Sequence, residues 1–253
     1  MFILYFEATA QRNRYNPSQK ELITPLQSGT FNASIKSGGL VRTFQIHIPQ
    51  GYNANKKLPV VIMLHGFGGN AQNALEQGSW KEKADKEGFI ALGLDGTLKK
   101  SGKKERFLSN QRSWNSGSNE TQADRDNIND VGFINDMIDL LIAKNIADVD
   151  RIYLTGFSNG AAMTFRAGAA LSDKIAAIAP ASSKLFVKVN LLKRPLPLIY
   201  FYGSEDPLNP IDGGKVKKLG VVRNLPPISE TLSTWKNLLS CPTDKKEMVV
   251  LDK

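Results

Sequence analysis

The pentapeptide Gly156-Phe157-Ser158-Asn159-Gly160 combines residue types and spacing that can do chemistry. A serine hydroxyl held between two glycines attacks a carbonyl carbon when the backbone turns sharply enough to expose it. The flanking residues supply such a turn: Arg151 to Thr155 (RIYLT) reads as a strand, and Ala161 to Leu171 as a helix of small residues. Neighbouring backbones come close at a strand-to-helix elbow, which is why glycines flank the serine. The helix also points its first N–H groups at charge developing beside Ser158, making the Asn159 amide one expected oxyanion donor.

Two more groups belong with it. His65-Gly66-Phe67-Gly68-Gly69 follows the apolar run Leu58 to Leu64 (LPVVIML), and this Gly-rich loop can set a backbone N–H, that of Phe67, opposite the nucleophile. His65 is expected to hold the loop by hydrogen bonding. Gly203-Ser204-Glu205-Asp206-Pro207 follows the run Leu196 to Tyr202 (LPLIYFY), which puts Asp206 at a carboxyl end of the sheet, where sites in such folds lie. Asp206 is the expected triad acid, with Glu205 as the alternative and a plain turn aspartate as the bland reading.

The base is the gap. Where a serine nucleophile sits on such an elbow the chain order is serine, acid, histidine, and no histidine follows Asp206. His47 falls on an early strand and His65 in the oxyanion loop, so neither fits. Without an imidazole to take its proton a serine hydroxyl is a poor nucleophile, and this chain is expected to be nearly inactive.

The elements that must position these groups follow from periodicity. Thr43 to Ile48 alternates as a half-buried strand, which makes His47 structural, while Leu58 to Leu64 and Phe89 to Leu94 are continuous apolar runs that fit strands covered on both faces. Trp80 to Glu87 has helical composition and stops at Gly88. Asp95 to about Asn129 is long and irregular. Asp130 is the expected N-cap of a helix whose stripe is Val131, Ile134, Met137, Ile138, Leu141 and Ile142. Strands over Ile175 to Ala179 and Leu196 to Tyr202, a helix over Glu230 to Leu239 and a strand beginning at Met248 to Leu251 complete the order. Strand and helix alternate, so an α/β fold with a mostly parallel, doubly wound sheet is expected.

Composition bounds the rest. The 253 residues, 41% apolar, suit one α/β domain. Met1 to Phe6 is apolar and precedes Ala8-Thr9-Ala10, which has the small-x-small form of a leader-peptide cleavage site; residues 1–10 read either as the tail of a signal peptide or as a chance apolar terminus. Residues 11–37 are polar and read as leader and lead-in, leaving 38–253 as the catalytic domain. The net charge of +9 raises the question of nucleic acid, but the densest basic run, Lys99, Lys100, Lys103, Lys104 and Arg106, lacks interleaved aromatics and reads as a solvated loop. One cysteine, Cys241, and two histidines do not make a metal set, so no cofactor or metal is expected. No run of about 18 apolar residues exists, and no membrane partner is expected.

The chain resembles the extracellular esterases that include polyhydroxybutyrate depolymerases and feruloyl esterases. The resemblance runs from about Val41 to the end and rests on Leu64-His65-Gly66-Phe67-Gly68-Gly69, Ser113-Trp114-Asn115, Asn129-Asp130-Val131-Gly132-Phe133 and Tyr153 to Met163. It implies an α/β-hydrolase fold and a serine esterase, exported, with a further strand and a His-bearing loop after the point where this sequence stops. On that resemblance C-terminal truncation accounts for the absent histidine, and Cys241 has lost a disulfide partner with the tail.

The expected activity is therefore hydrolysis of feruloyl, acetyl-xylan or short hydroxyalkanoate esters through an acyl-enzyme on Ser158. A non-catalytic carbohydrate- or polyester-binding protein and a serine peptidase share the scaffold and remain as alternatives. Trp114 is a candidate substrate-binding residue, an aromatic wall of the acyl pocket, with a loop anchor packed on the core as the other reading. Oligomeric state is not legible.

Overall fold

The computed structural model describes residues 5–8, 27–106, 109–218 and 221–242. Its strands are β1 Tyr5–Ala8, β2 Gly29–Ser37, β3 Leu40–Ile48, β4 Leu58–Leu64, β5 Ile90–Leu94, β6 Thr97–Leu98, β7 Arg112–Ser113, β8 Ala147–Phe157, β9 Ala177–Ala181, β10 Gly214–Lys218 and β11 Val221–Leu225. The helices are α1 Ala71–Gln77, α2 Trp80–Glu87, α3 Gln122–Arg125, α4 Asp130–Ala143, α5 Asn159–Ala170 and α6 Ile228–Leu238.

Seven strands form the main sheet in the order β1-β2-β3-β5-β4-β8-β9. The first three are antiparallel, β3 pairs antiparallel with β5, and β5, β4, β8 and β9 run parallel. The parallel strands are apolar because both of their faces are covered. On one face Met63 and Ala91 meet Leu75 of α1, Ala84 of α2 and Phe89. On the other, Ile62, Leu64, Ile90 and Leu92 belong to the larger core with Phe133 and Met137 of α4, Phe165 of α5 and Trp235 of α6. This is the expected α/β-hydrolase fold, mixed at one edge and parallel elsewhere.

Leu196 to Tyr202 lies along β9 as an eighth rung. Ile178 and Phe201 donate their amides to Pro197 and Pro180, and Ile199 donates to Ile178. Parallel bridges join Ile178 to Leu198 and Ala181 to Phe201.

Four differences from the sequence reading have physical causes. Gly29–Ser37, read as lead-in, is a full strand with Ala33 and Ile35 buried; the alternation of Phe31, Ala33 and Ile35 with Asn32, Ser34 and Lys36 marks it, and the polar composition of the preceding residues masked that short period. Tyr5–Ala8, within the stretch read either as the tail of a signal peptide or as a chance apolar terminus, pairs as a strand with Phe31 to Ser34 at the sheet edge. Asn129, not Asp130, caps α4, accepting from the Gly132 amide, because the Asp130 carboxylate is engaged inside the protein. The irregular stretch after Asp95 is organised by β6, β7 and α3, whose Thr121 and Asp124 form a reciprocal capping box. The helix α1 and the hairpin of β10 and β11 had no clear period to announce them. Gly88 ends α2 in the left-handed conformation, as expected. The strand expected at Met248 to Leu251 lies outside the described residues.

The carboxyl ends of β4, β5, β8, β9 and the Leu196 to Tyr202 segment share one edge. The loops bearing His65, Asp95, Ser158, Ser182 and Asp206 leave from it.

Candidate active site

Ser158 stands between β8 and α5 with φ of 52°, a conformation that costs an L residue about 1–3 kcal/mol. Its amide donates to the Ala181 carbonyl at 2.9 Å, and its carbonyl accepts from Ala161 and Ala162. The elbow is packed too tightly for side chains. A Cβ at Gly160 would lie 2.2 Å from the Leu64 carbonyl oxygen and 2.5 Å from that of His65, so α5 sits directly on the end of β4. A Cβ at Gly66 would lie 3.5 Å from the Ser158 Cβ, which brings the Gly-rich loop against the serine as its spacing predicts.

That loop is pinned from both sides. Gly68 donates its amide to Arg112 at 2.9 Å and Gly69 to Gly66 at 3.0 Å, leaving the Phe67 amide in the bend between them; the Phe67 ring is exposed. His65 is buried beneath. Its Nε2 accepts from the Gly96 amide at 2.9 Å, so the proton resides on Nδ1, which donates to the Gly66 carbonyl at 2.7 Å. Burial, opposed by the nearby Asp95 carboxylate, lowers its pKa to about 4 and keeps the ring neutral. The expectation that His65 holds the loop is met, and both its nitrogens are occupied in doing so.

Trp114 does not line a pocket. It is fully buried, donates its indole N–H to the His65 carbonyl at 2.9 Å and stacks at a tilt on the imidazole, 5.1 Å between centroids. Its amide donates to Asn159 Oδ1 at 2.8 Å, so one residue ties the Gly-rich loop to the start of α5. The substrate-wall reading is corrected to that of an anchor: a ring with no accessible surface offers a ligand nothing to touch.

Beneath the anchor lies a polar network that periodicity did not single out. Arg42 donates to Asp130 at 2.6 Å and to the Asp95 carbonyl at 3.0 Å, and Asp130 also accepts from the Asn115 amide at 2.7 Å. Arg166 of α5 reaches the Asn115 carbonyl at 2.9 Å. Burial pushes the Asp130 carboxyl above its ordinary range, against the pull of Arg42 and the Asn115 amide. Ser113-Trp114-Asn115 and Asn129-Asp130 were visible as motifs. Their joint burial was not, since Arg42 is 88 residues from Asp130.

Asp206 is half-buried after the Leu196 to Tyr202 rung. Its Oδ1 accepts the Leu208 and Asn209 amides at 2.9 and 3.0 Å, and its Oδ2 accepts the Ser182 hydroxyl. Burial raises the carboxyl, but these bonds outweigh it and hold the pKa below the ordinary aspartate value. The neighbouring Glu205 is exposed and makes no comparable set of bonds. His47 is remote: it pairs with Ala91, level with Val61 and Tyr153, about 16 Å along the strands from Ser158. It bonds Thr30 at 2.8 Å and Asp85 at 2.9 Å and is structural, as expected.

The basic run is a solvated loop folded round Asn110, whose side-chain Nδ2 lies 3.1 Å from each of the carbonyl oxygens of Lys100, Lys103 and Lys104 and shares its two N–H groups among them. Among the described residues no group of His, Cys, Asp and Glu could hold a metal ion, and no helix is long and apolar enough to cross a membrane.

The fold and the elbow define an α/β-hydrolase. The chain belongs to the phospholipase/carboxylesterase family, whose model matches residues 51–221. It is 33% identical over 175 residues to feruloyl esterase B from Piromyces equi, covering 67% of this chain and 30% of that protein. It is 25% identical over 177 residues to a bifunctional acetylxylan esterase/xylanase from Neocallimastix patriciarum, covering 70% and 23%. It is also similar to the solved structure of native sOPH, with a TM-score of 0.59 at 17% identity over 87% of this chain and 78% of that one. The chain thus spans less than a third of each of these two curated relatives.

Proposed function

We propose that this protein is a carboxylic-ester hydrolase that works through an acyl-enzyme on Ser158, with Asp206 as the acid and the Phe67 and Asn159 amides as the oxyanion hole. In this reading Ser158 Oγ adds to the ester carbonyl while a base removes its proton. The carbonyl oxygen gains negative charge and is met by the two amides. The alkoxy–carbonyl bond then breaks, the alcohol leaves with a proton, and water hydrolyses the acyl-serine. The observation that carries the reading is the placement of Gly66 3.5 Å, as an added Cβ, from the Ser158 Cβ at the head of α5. That closeness supports the loop as the source of the second oxyanion donor.

The base is the part this chain's own histidines do not supply. His65 is locked by two hydrogen bonds, and His47 is far along the sheet. An imidazole docked against Asp206 from elsewhere would complete the set, and without it the chain turns esters over slowly. Feruloyl, acetyl-xylan and short hydroxyalkanoate esters are the candidate substrates, the first two supported by the similar curated proteins. Export is part of the reading, on the Ala8-Thr9-Ala10 pattern and the family resemblance.

Release of p-nitrophenol from p-nitrophenyl acetate, with and without added imidazole, tests it. The expected result is slow turnover that imidazole raises at least tenfold and that Ser158→Ala abolishes. Imidazole-dependent turnover that survives Ser158→Ala, beyond the rate of imidazole alone, would overturn it.

A further inference from the structure

Ser182 has no assigned task, yet it is the residue through which the nucleophile and acid loops are joined. It follows Ala181, whose carbonyl holds the Ser158 amide at 2.9 Å. Its own amide donates to Phe201 at 3.0 Å, closing the rung that delivers the chain to Asp206. Its carbonyl accepts from Asn209 Nδ2 at 3.2 Å, and its hydroxyl donates to Asp206 Oδ2. All of this is done at φ of 57°, where a serine is strained.

We propose that Ser182 is a positioning residue for Asp206: its hydroxyl holds the carboxylate in one orientation at a fixed offset from Ser158. The inference rests on the reading of Asp206 as the acid. The two backbone amides on Oδ1 alone would let the carboxylate pivot about that oxygen, and the Ser182 hydroxyl removes the freedom. The Asn209 side chain also favours the charged carboxylate, so Ser182 acts within a set of donors gathered on Asp206. Lys184 and Tyr202 flank the same loop. Lys184 donates to the Pro210 carbonyl at 2.7 Å and Tyr202 to the Asn209 carbonyl at 2.5 Å, so neither takes the carboxylate.

Carbon-13 NMR titration of the Asp206 carboxyl tests this in the wild-type chain, Ser182→Ala and Ser182→Gly. Both variants remove the hydroxyl, but only glycine relieves the positive φ. The expected result is an upward shift of the carboxyl midpoint, equal in the two variants. Alongside it, kcat of imidazole-supported p-nitrophenyl acetate hydrolysis falls about tenfold with KM unchanged. An unmoved midpoint, or a shift in one variant only, would assign the residue a backbone role and overturn the proposal. A midpoint that shifts in a chain lacking Ser158-dependent turnover keeps the Ser182 link and removes the esterase reading instead.

Discussion

Trp114 donates its indole N–H to the His65 carbonyl at 2.9 Å, and through that bond the long loop after β5 fixes the turn that faces Ser158. Trp114→Ala removes a fully buried ring and should cost about 3–5 kcal/mol by urea denaturation. Trp114→Phe, which loses mainly the hydrogen bond, should cost about 1–2 kcal/mol. In imidazole-supported assays, relative rates on acetyl, butyryl and aryl esters should stay the same in Trp114→Phe. A changed ester preference would restore the pocket wall that burial argues against.

Gly160 and Gly66 meet different neighbours, and their alanine variants should differ accordingly. At Gly160 a methyl would strike two main-chain carbonyl oxygens at 2.2 and 2.5 Å, which cannot move without opening the elbow. At Gly66 it would meet the Phe157 ring at 3.2 Å, and that ring is exposed and free to swing. Gly160→Ala should lose about 3 kcal/mol or more and Gly66→Ala about 1 kcal/mol or less, read from thermal melts.

The buried imidazole of His65 gives stability a pH dependence. Its pKa falls from the ordinary 6.5 to about 4 in the folded chain. Between those values the unfolded chain binds a proton that the folded one refuses, so stability is present above about pH 6.5 and is lost as pH falls toward 4. The loss should approach about 3 kcal/mol. Urea midpoints across that window should fall less steeply in His65→Asn than in the wild type; parallel slopes would remove the assignment.

Arg42 and Asp130 form a pair with side chains 4% and 0% exposed, and Arg42 also lies over the Phe133 ring at 4.1 Å. Arg42→Met should destabilise by about 3–5 kcal/mol, because it strands a buried carboxylate. Adding Asp130→Asn should recover part of that loss, since the amide removes the charge and can still accept from Asn115. A double variant no more stable than the single one would deny the pair its electrostatic role.

Much of this protein could be read from its residues alone, because strands covered on both faces are continuous apolar runs and a strand-to-helix elbow needs glycine in known places. The parallel core of β4, β5, β8 and β9, the elbow at Ser158 and the Gly-rich loop after Leu64 are set by such local rules, and so was the doubt over a base, since it needed only a count of two histidines. What the residues alone left open was long-range and polar. Whether Trp114 faces a ligand or the core depends on what stands 45–49 residues away at Asn159 and His65. The burial of Arg42 against Asp130 and the grip of Ser182 on Asp206 are likewise pairings between distant elements. Periodicity reports which face of an element is apolar, whereas the partner of a buried polar group is chosen by the tertiary packing that excludes water from both.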